Sequence, residues 1–211
     1  VKALKDKAAD CSLFCVGDDW QAIYRFAGSD ISFTTGFTNY FGVTQFTKLK
    51  KTFRFNSSIA DISSEFVLKN PFQTKKTITT LEKVKAPSIS LLRQTNKVIP
   101  GNNEKFNKII SKLSKYPDSS DSAYLLGRYL QVNKVLKAII KLNNKASVLI
   151  QGRYNFTLPS LSEMELHREK FPTLNLIKNT VHSSKGKEAD YVIVLELQSG
   201  KHGFPSEKTT N

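Results

Sequence analysis

Two carboxylates, an amide and three aromatic rings lie close together near the start of the chain, in the stretch VGDDWQAIYRFAGSD at residues 16–30. The apolar run Ser12–Val16 predicts a strand, and the glycine that follows it predicts a turn. Because the loops that follow parallel strands converge on the ligand of an α/β sheet, we expect Asp18, Asp19 and Gln21 to face a ligand.

Flat aromatic faces accompany the polar groups of this stretch and of a second one. Tyr24 and Phe26 follow the first turn, where their rings could contact a ligand. The second stretch, KKTFRFN at residues 50–56, has Arg54 between two phenylalanines and ahead of a predicted helix. The guanidinium fork suits phosphate oxygens, and the ring of Phe53 could stack on a base. An ordinary strand-to-helix loop with a surface arginine is the alternative interpretation.

A third stretch, TVHSSKGKEAD at residues 180–190, is rich in hydroxyl groups and positive charge, which suits contact with phosphate. The pattern GxxxxGK(S/T), which cradles nucleotide phosphates in a P-loop, occurs nowhere in the chain. A hydrolase that uses His182 with Ser183 or Ser184 is a further hypothesis. The sequence argues against it, because adjacent residues do not form a catalytic triad and no glycine-flanked nucleophile is present.

Short apolar runs separated by helical patterns surround these stretches. The runs that we interpret as strands are Ser12–Val16, Val43–Leu49, Ile89–Leu92, Ala123–Leu126, Ser147–Ile150 and Tyr191–Leu197. Several are apolar throughout, which is typical of parallel strands covered on both faces, so we predict an α/β fold with a mostly parallel sheet. Gly-Arg-Tyr occurs twice at the end of an apolar run, in LLGRY at residues 125–129 and in LIQGRY at residues 149–154, and we expect both copies at strand ends.

Three helices are predicted from apolar residues at spacings of three and four. The first begins after Asn56, a good N-cap, and stops at Asn70 before a proline. The other two lie near residues 105–115 and 134–145, and each carries a row of lysines opposite its apolar face. These lysine rows are most simply solvated helix faces, and the polar segment Lys69–Ala86 is predicted to be a long loop.

The chain of 211 residues carries a formal net charge of +14. This excess favours a polyanionic partner, nucleic acid or anionic lipid, although a lysine-rich soluble surface would also account for it. No run approaches the roughly 20 apolar residues that span a bilayer, and no secretory signal is evident, so we expect a cytoplasmic protein with no membrane partner. Cys11 and Cys15 are expected to be buried on a strand.

The three stretches resemble, in order, motifs III, IV and V of the UvrD/Rep family of superfamily 1 DNA helicases. VGDDWQAIYRFAGSD is similar to motif III, KKTFRFNSSI to motif IV and TVHSSKGKEADYVIVL to motif V. Within this family, the segments DDWQAIYRF, FRFNS and SKGKEAD are most similar in sequence to the helicase IV branch. The resemblance implies a RecA-like P-loop NTPase core. Residues 1–48 would be the end of the first RecA-like domain, and residues 49–211 would be the second, truncated before motif VI.

The resemblance also implies ATP with Mg²⁺ as the cofactor, with most phosphate and Mg²⁺ ligands outside this fragment. Gln21 would match the glutamine that senses the γ-phosphate and orients the attacking water, and Arg54 the arginine that reaches the γ-phosphate. These two are the predicted catalytic residues. Phe53 would replace the tyrosine that stacks on adenine, and Glu188 would match the glutamate that hydrogen-bonds the ribose.

The partners that the resemblance implies are single-stranded DNA and duplex junctions, and repair or recombination proteins are candidate further partners. The predicted DNA-binding residues are Tyr24, Phe26, Arg153, Tyr154, Thr180 and His182. The implied function is that of an ATP-dependent helicase moving 3′ to 5′, of which this fragment alone would lack ATPase activity. The alternative is a non-catalytic RecA-like module that binds nucleic acid or a repair partner.

Overall fold

The computed structural model describes residues 2–7, 11–22, 28, 30–93, 104–113 and 120–197. The chain divides into two compact units, Val1–Leu91 and Leu92–Asn211, and each unit has its own parallel sheet. The helices are α1 (Lys2–Lys7), α2 (Ser32–Thr35), α3 (Phe37–Phe41), α4 (Ser57–Val67), α5 (Glu104–Leu113), α6 (Ser120–Leu142) and α7 (Leu161–Lys170). The strands are β1 (Lys51–Thr52), β2 (Thr79–Thr80), β3 (Ser147–Gly152), β4 (Asn175–Thr180) and β5 (Tyr191–Val194). Short 3₁₀ turns cover Asp19–Gln21 and Asn155–Thr157.

The first unit contains helix α4 and the two-stranded sheet of β1 and β2. α4 begins after Asn56, whose Oδ1 accepts a hydrogen bond from the backbone N–H of Ile59 at 3.2 Å. The cap supplies a partner for an N–H group that has none within the helix. The predicted start of this helix is therefore confirmed, and its last residue, Val67, lies just before the predicted stop at Asn70.

The second unit is a three-stranded parallel sheet in the order β4-β3-β5, with α5, α6 and α7 in the same unit. β3 pairs with β4 from Ser147 opposite Asn175 to Gly152 opposite Thr180. The buried core residues are Val132, Leu136, Ile139, Ala146, Val148, Ile150, Met164, Phe171, Leu174 and Leu176. Parallel strands flanked by helices confirm the predicted α/β class, as expected for a RecA-like fold.

In the sheet of the second unit, two predicted strands are confirmed and the third was not foreseen; the short strands β1 and β2 of the first unit were not foreseen either. Ser147–Ile150 forms most of β3, and Tyr191–Leu197 begins with β5. Between them in the chain lies β4, whose sequence NLIKNT is mostly polar, with Leu176 as its buried residue. The apolar pattern missed it because only part of its surface packs into the core.

The prediction of a strand at Ala123–Leu126 was wrong, because these residues lie within helix α6. Four apolar residues in a row fit a buried strand or a helix equally well. The buried side chains that follow, Tyr129, Val132 and Leu136, continue from Leu126 at spacings of three and four, which is a helical stripe. The first Gly-Arg-Tyr copy is therefore helical, and the second alone follows a strand, β3.

Three other predicted strands were also wrong, since the structure has neither strand nor helix in these runs. The runs are Ser12–Val16, Val43–Leu49 and Ile89–Leu92. A strand needs a neighbour to pair its N–H and C=O groups, and none of the strand pairs in the described residues involves these runs. Phe14 is 90% exposed and Leu91 is 83% exposed. Cys11 and Cys15, expected to be buried, are exposed free thiols.

A buried ion pair joins α6 to α7. Arg128 NH2 lies 2.5 Å from Oε2 of Glu163, and the two side chains are 7% and 1% exposed. His167, one turn further along α7, has its Nε2 3.7 Å from Oε1 of Glu163. Burial by itself raises the pKa of Glu163, but His167 and the charge of Arg128 outweigh it and hold the pKa below its ordinary value. The carboxylate therefore remains charged inside the protein.

Replacement of this carboxylate tests its contribution to the second unit. Glu163→Ala should lower the free energy of unfolding by about 3 kcal/mol, because among the described residues the carboxylate then left to Arg128 is the more distant one of Glu196, at 3.5 Å. Glu165→Ala removes an exposed carboxylate of the same helix and should change the free energy of unfolding by less than about 0.5 kcal/mol. Urea unfolding followed by circular dichroism measures the stability of both variants. Equal losses would contradict the prediction that the buried ion pair stabilises the second unit.

The effect of Glu163→Ala on the free energy of unfolding should depend on pH. Because the folded-state pKa of Glu163 is depressed, its stabilisation is fully present above the ordinary value of about 4.5 and is lost as the pH falls through the folded-state pKa. The stability difference between the unmodified chain and Glu163→Ala should therefore narrow in acid.

Candidate functional site

Four of the predicted DNA-binding residues lie at one edge of the second unit's sheet. Arg153 and Tyr154 follow the last residue of β3, Thr180 is the last residue of β4, and His182 lies in the turn after it. The ends of the two strands are hydrogen-bonded to each other, since the N–H of Val181 donates to the carbonyl of Gly152 at 3.0 Å. We call the four residues Arg153, Tyr154, Thr180 and His182 the strand-end site.

The turn after β4 is organised by hydroxyl groups. The hydroxyls of Thr180 and Ser183 hydrogen-bond to each other, and the backbone N–H of Ser183 donates to Thr180 Oγ1 at 3.2 Å. Ser184 Oγ donates to the carbonyl of Val181 at 2.8 Å and accepts from Nε2 of Gln151 at 2.5 Å. Both serines of the hydrolase hypothesis therefore take part in the hydrogen bonds that shape the turn.

The loop after β3 carries a stack of one cation and two rings. The Arg153 guanidinium carbon lies 4.9 Å from the centroid of the Tyr154 ring. The Tyr154 ring in turn stacks on Phe156, with centroids 5.1 Å apart and an interplanar angle of 13°. Phe156 is 73% exposed. Phe156 is not among the predicted binding residues, although its position two residues after Tyr154 is a local signal for it.

Glu188, the predicted ribose ligand, is exposed in the loop that leads into β5. The loop is anchored after it by Asp190, whose Oδ2 accepts from the N–H and the hydroxyl of Ser147 at 2.8 and 2.7 Å. The backbone and side-chain hydrogen bonds from Ser147 hold the pKa of Asp190 below its ordinary value. Glu188 thus belongs to the second unit, like the strand-end site.

In the first unit, Asp18 and Asp19 share one ammonium group. Lys76 Nζ lies 2.5 Å from Oδ1 of Asp18 and also contacts Oδ1 of Asp19, whose side chain is 3% exposed. The N–H of Thr74 donates to Oδ2 of Asp19 at 2.7 Å. Burial by itself raises the pKa of both carboxyls, but the hydrogen bonds, above all those from Lys76, outweigh it and hold each pKa below its ordinary value. The carboxylates are thereby fixed in place.

Gln21, the predicted catalytic glutamine, is attached to this cluster. Its Nε2 donates to Oδ2 of Asp18 at 2.7 Å. The indole of the neighbouring Trp20 donates to the carbonyl of Thr74 at 2.9 Å, and Lys76 Nζ lies 5.3 Å from its ring centroid. Lys76 lies in the segment Lys69–Ala86, which was predicted to be a long loop. Its contact with Asp18 was not predicted, because no local pattern links residues so far apart in the chain.

Phe53 and Arg54, the other predicted nucleotide contacts of the first unit, lie between β1 and α4. Phe53 is 74% exposed, with Nζ of Lys51 at 5.3 Å from its ring centroid. Arg54 is exposed, and its N–H donates to Thr52 Oγ1 at 3.4 Å. An accessible ring beside an accessible guanidinium fits a ligand with a base and phosphates. Tyr24 and Phe26 lie outside the described residues.

Two findings concern metal ions and membranes. No group of three or more His, Cys, Asp or Glu side chains that could hold a metal ion occurs in the described part of the chain. None of the helices among the described residues is long and apolar enough to cross a membrane.

Comparison with known proteins shows that the chain is similar to a DNA helicase. The chain is 32% identical over 204 residues to DNA helicase IV of Escherichia coli K12. The match covers 97% of this chain and 25% of the helicase, so the chain spans about a quarter of its relative's length. No protein-family model matches the chain. The similarity confirms the resemblance to UvrD/Rep-family helicases, and to the helicase IV branch, that the three motifs indicated.

Substitution of Lys76 tests the carboxylate cluster. Lys76→Met should raise the pKa of Asp18 and of Asp19, because burial then acts without an ammonium group to offset it. We expect the first unit to lose about 1–2 kcal/mol of stability at neutral pH. Carboxyl titration by NMR measures the pKa values. Lys75→Met removes the neighbouring exposed ammonium and should leave both values unchanged; a similar shift in this control would contradict the prediction.

Proposed function

We propose that this chain forms part of an ATP-dependent DNA helicase that moves 3′ to 5′ along single-stranded DNA and unwinds duplexes at junctions. The observation that carries the proposal is the similarity to DNA helicase IV over 97% of the chain. In this proposal the chain supplies motifs III, IV and V. Residues 1–48 end one RecA-like domain and residues 49–211 form most of the next.

The strand-end site supports the DNA-binding part of the proposal. Its residues come from two segments about 30 positions apart in the chain, and the pairing of β3 with β4 brings them together. Arg153 provides a cation, Thr180 a hydroxyl group and His182 a ring nitrogen, which are groups that contact the sugar-phosphate backbone. Contacts of this kind carry no sequence information, which suits an enzyme that moves along any strand.

The nucleotide part of the proposal concerns four side chains. Arg54 contacts the γ-phosphate and Phe53 stacks on adenine, for which their exposed positions before α4 are suited. Gln21 orients the attacking water, and its hydrogen bond to Asp18 fixes the amide. Glu188 hydrogen-bonds the ribose. Hydrolysis of the bound ATP, with Mg²⁺, would supply the free energy for movement.

Further parts of the proposal follow from the chain's own sequence and from the helicase resemblance. The chain alone has no ATPase activity, because it contains no GxxxxGK(S/T) segment to cradle the phosphates. Most of the phosphate and Mg²⁺ ligands would come from residues outside this chain, with Arg54 as the phosphate contact that the chain supplies. Repair or recombination proteins are the proposed protein partners, and the cytoplasm is the proposed location.

Salt dependence of binding tests the proposed DNA partner. The purified chain should bind a fluorescein-labelled oligo(dT), and its association constant should fall steeply with salt because neutralised phosphates release counterions. Four phosphate contacts on a single strand give a loss of about 50-fold between roughly 50 and 200 mM salt. Fluorescence anisotropy measures the constants. Absence of binding, or binding that salt leaves unchanged, would contradict the proposal.

Substitution of Arg54 separates a helicase from a non-catalytic binding module. In a protein that carries this chain together with a GxxxxGK(S/T) segment, Arg54→Ala should lower DNA-stimulated ATP hydrolysis by about 10³–10⁵-fold. Affinity for single-stranded DNA should stay within about twofold, whereas Phe26→Ala should weaken DNA binding by about fivefold or more. Arg93→Ala, at another exposed arginine, is the control for loss of charge. Unchanged hydrolysis in Arg54→Ala would support the binding module.

A further inference from the structure

We propose that the stacked rings of Tyr154 and Phe156 form a base-stacking platform for single-stranded DNA, with the outer face of Phe156 as the contact surface. The inference rests on the proposed function and extends it, because it adds a binding residue that neither the three motifs nor the comparison assigns. The platform comprises three residues: Arg153, Tyr154 and Phe156.

The geometry of the stack leaves one aromatic face open. Tyr154 has the Arg153 guanidinium 4.9 Å from its ring centroid and the Phe156 ring 5.1 Å from it. The nearly parallel rings, at 13°, form a layered arrangement that a base could extend by one more layer. Phe156 is 73% exposed, so its ring is accessible. Every base has a flat π-face, so such a contact tolerates any sequence.

The loop that carries the rings is fixed before any ligand binds. Thr157 Oγ1 accepts a hydrogen bond from the N–H of Tyr154 at 3.1 Å and donates to its carbonyl at 2.7 Å. Thr157 is 5% exposed and packs so close to Gly152 that a Cβ at position 152 would lie 2.3 Å from Thr157 Oγ1. The rings are therefore held against the end of β3, and a base that stacks there would not have to order the loop first.

Positive charge and a hydroxyl group occur in the platform and in the neighbouring strand β4. Arg153 NH1 is buried and has no hydrogen-bond partner in the described part of the protein. Lys178, on β4, donates from Nζ to the carbonyl of Pro159 at 2.6 Å, just past Phe156 in the chain. Thr180, the last residue of β4, lies opposite Gly152 in the sheet. The platform thus belongs to a part of the sheet that carries the cations Arg153 and Lys178, and this charge favours nucleic acid over an uncharged apolar ligand.

The experiment compares two ligands with the same phosphates. The purified chain and its variants are titrated with fluorescein-labelled oligo(dT) and with an abasic strand of equal length, and anisotropy gives the dissociation constants. Phe156→Ala should weaken oligo(dT) binding by about fivefold or more, whereas Phe156→Trp should preserve it. Phe66→Ala removes an equally exposed ring, 72%, from α4 in the first unit and should have no effect. Thermal unfolding verifies that each variant is folded.

Binding of the abasic strand shows whether the loss of affinity in Phe156→Ala comes from lost base stacking. It should be unaffected by Phe156→Ala, because no base is present to stack. The fluorescence of the indole introduced by Phe156→Trp should be quenched by oligo(dT) and not by the abasic strand, after subtraction of the Trp20 signal from the unmodified chain.

Two results would overturn the inference, and they differ in their meaning for the proposed function. The first is that the unmodified chain binds oligo(dT) and Phe156→Ala either binds it equally well or loses the same affinity for oligo(dT) and for the abasic strand. The platform proposal is then wrong, while the DNA-binding proposal stands. If neither the chain nor any variant binds DNA, both proposals are wrong.

Discussion

The parallel pairing of β3 with both of its neighbours is the interaction on which the second unit depends. β3 lies in the centre of the sheet, and its residues Val148, Leu149 and Ile150 are at most 3% exposed. Because the strands run in the same direction, their carboxyl ends meet at one edge. The loop that carries Gly-Arg-Tyr and the turn TVHSSKG, which are far apart in the sequence, therefore become neighbours at this edge. The strand-end site, proposed to bind DNA, is therefore assembled by the hydrogen bonds between the strands of the sheet.

The first unit depends on a different kind of interaction, in which one cation organises two anions. Asp19 is almost completely buried, and an ionised carboxylate in such a place requires charged or hydrogen-bonded partners. Lys76 and the backbone of Thr74 provide them. Gln21 is held by Asp18, which the same lysine contacts. The proposed catalytic amide is thus positioned by a residue that lies in what was predicted to be a plain polar loop.

The sequence predicted those features that local patterns encode. The cap at Asn56, the apolar strand β3 and the α/β class all follow from spacing and residue type within a short window. The strand assigned at Ala123–Leu126 shows the limit of this approach, because a four-residue window could not tell a strand from part of a long helix. Lys76 could not be found from local patterns, since its contact with Asp18 spans distant positions. Phe156 has a local signal, its position two residues after Tyr154, but its exposure follows from packing.

The close contact between Gly152 and Thr157 has a mechanical consequence. The loop beyond β3 is tied to the strand's last residue by tight packing, and the strand itself is hydrogen-bonded on both sides along its length. A pull on the loop along the axis of β3 would load the hydrogen bonds to β4 and β5 together, in shear, rather than one after another. The short loop and the strand would therefore resist such a pull as one unit.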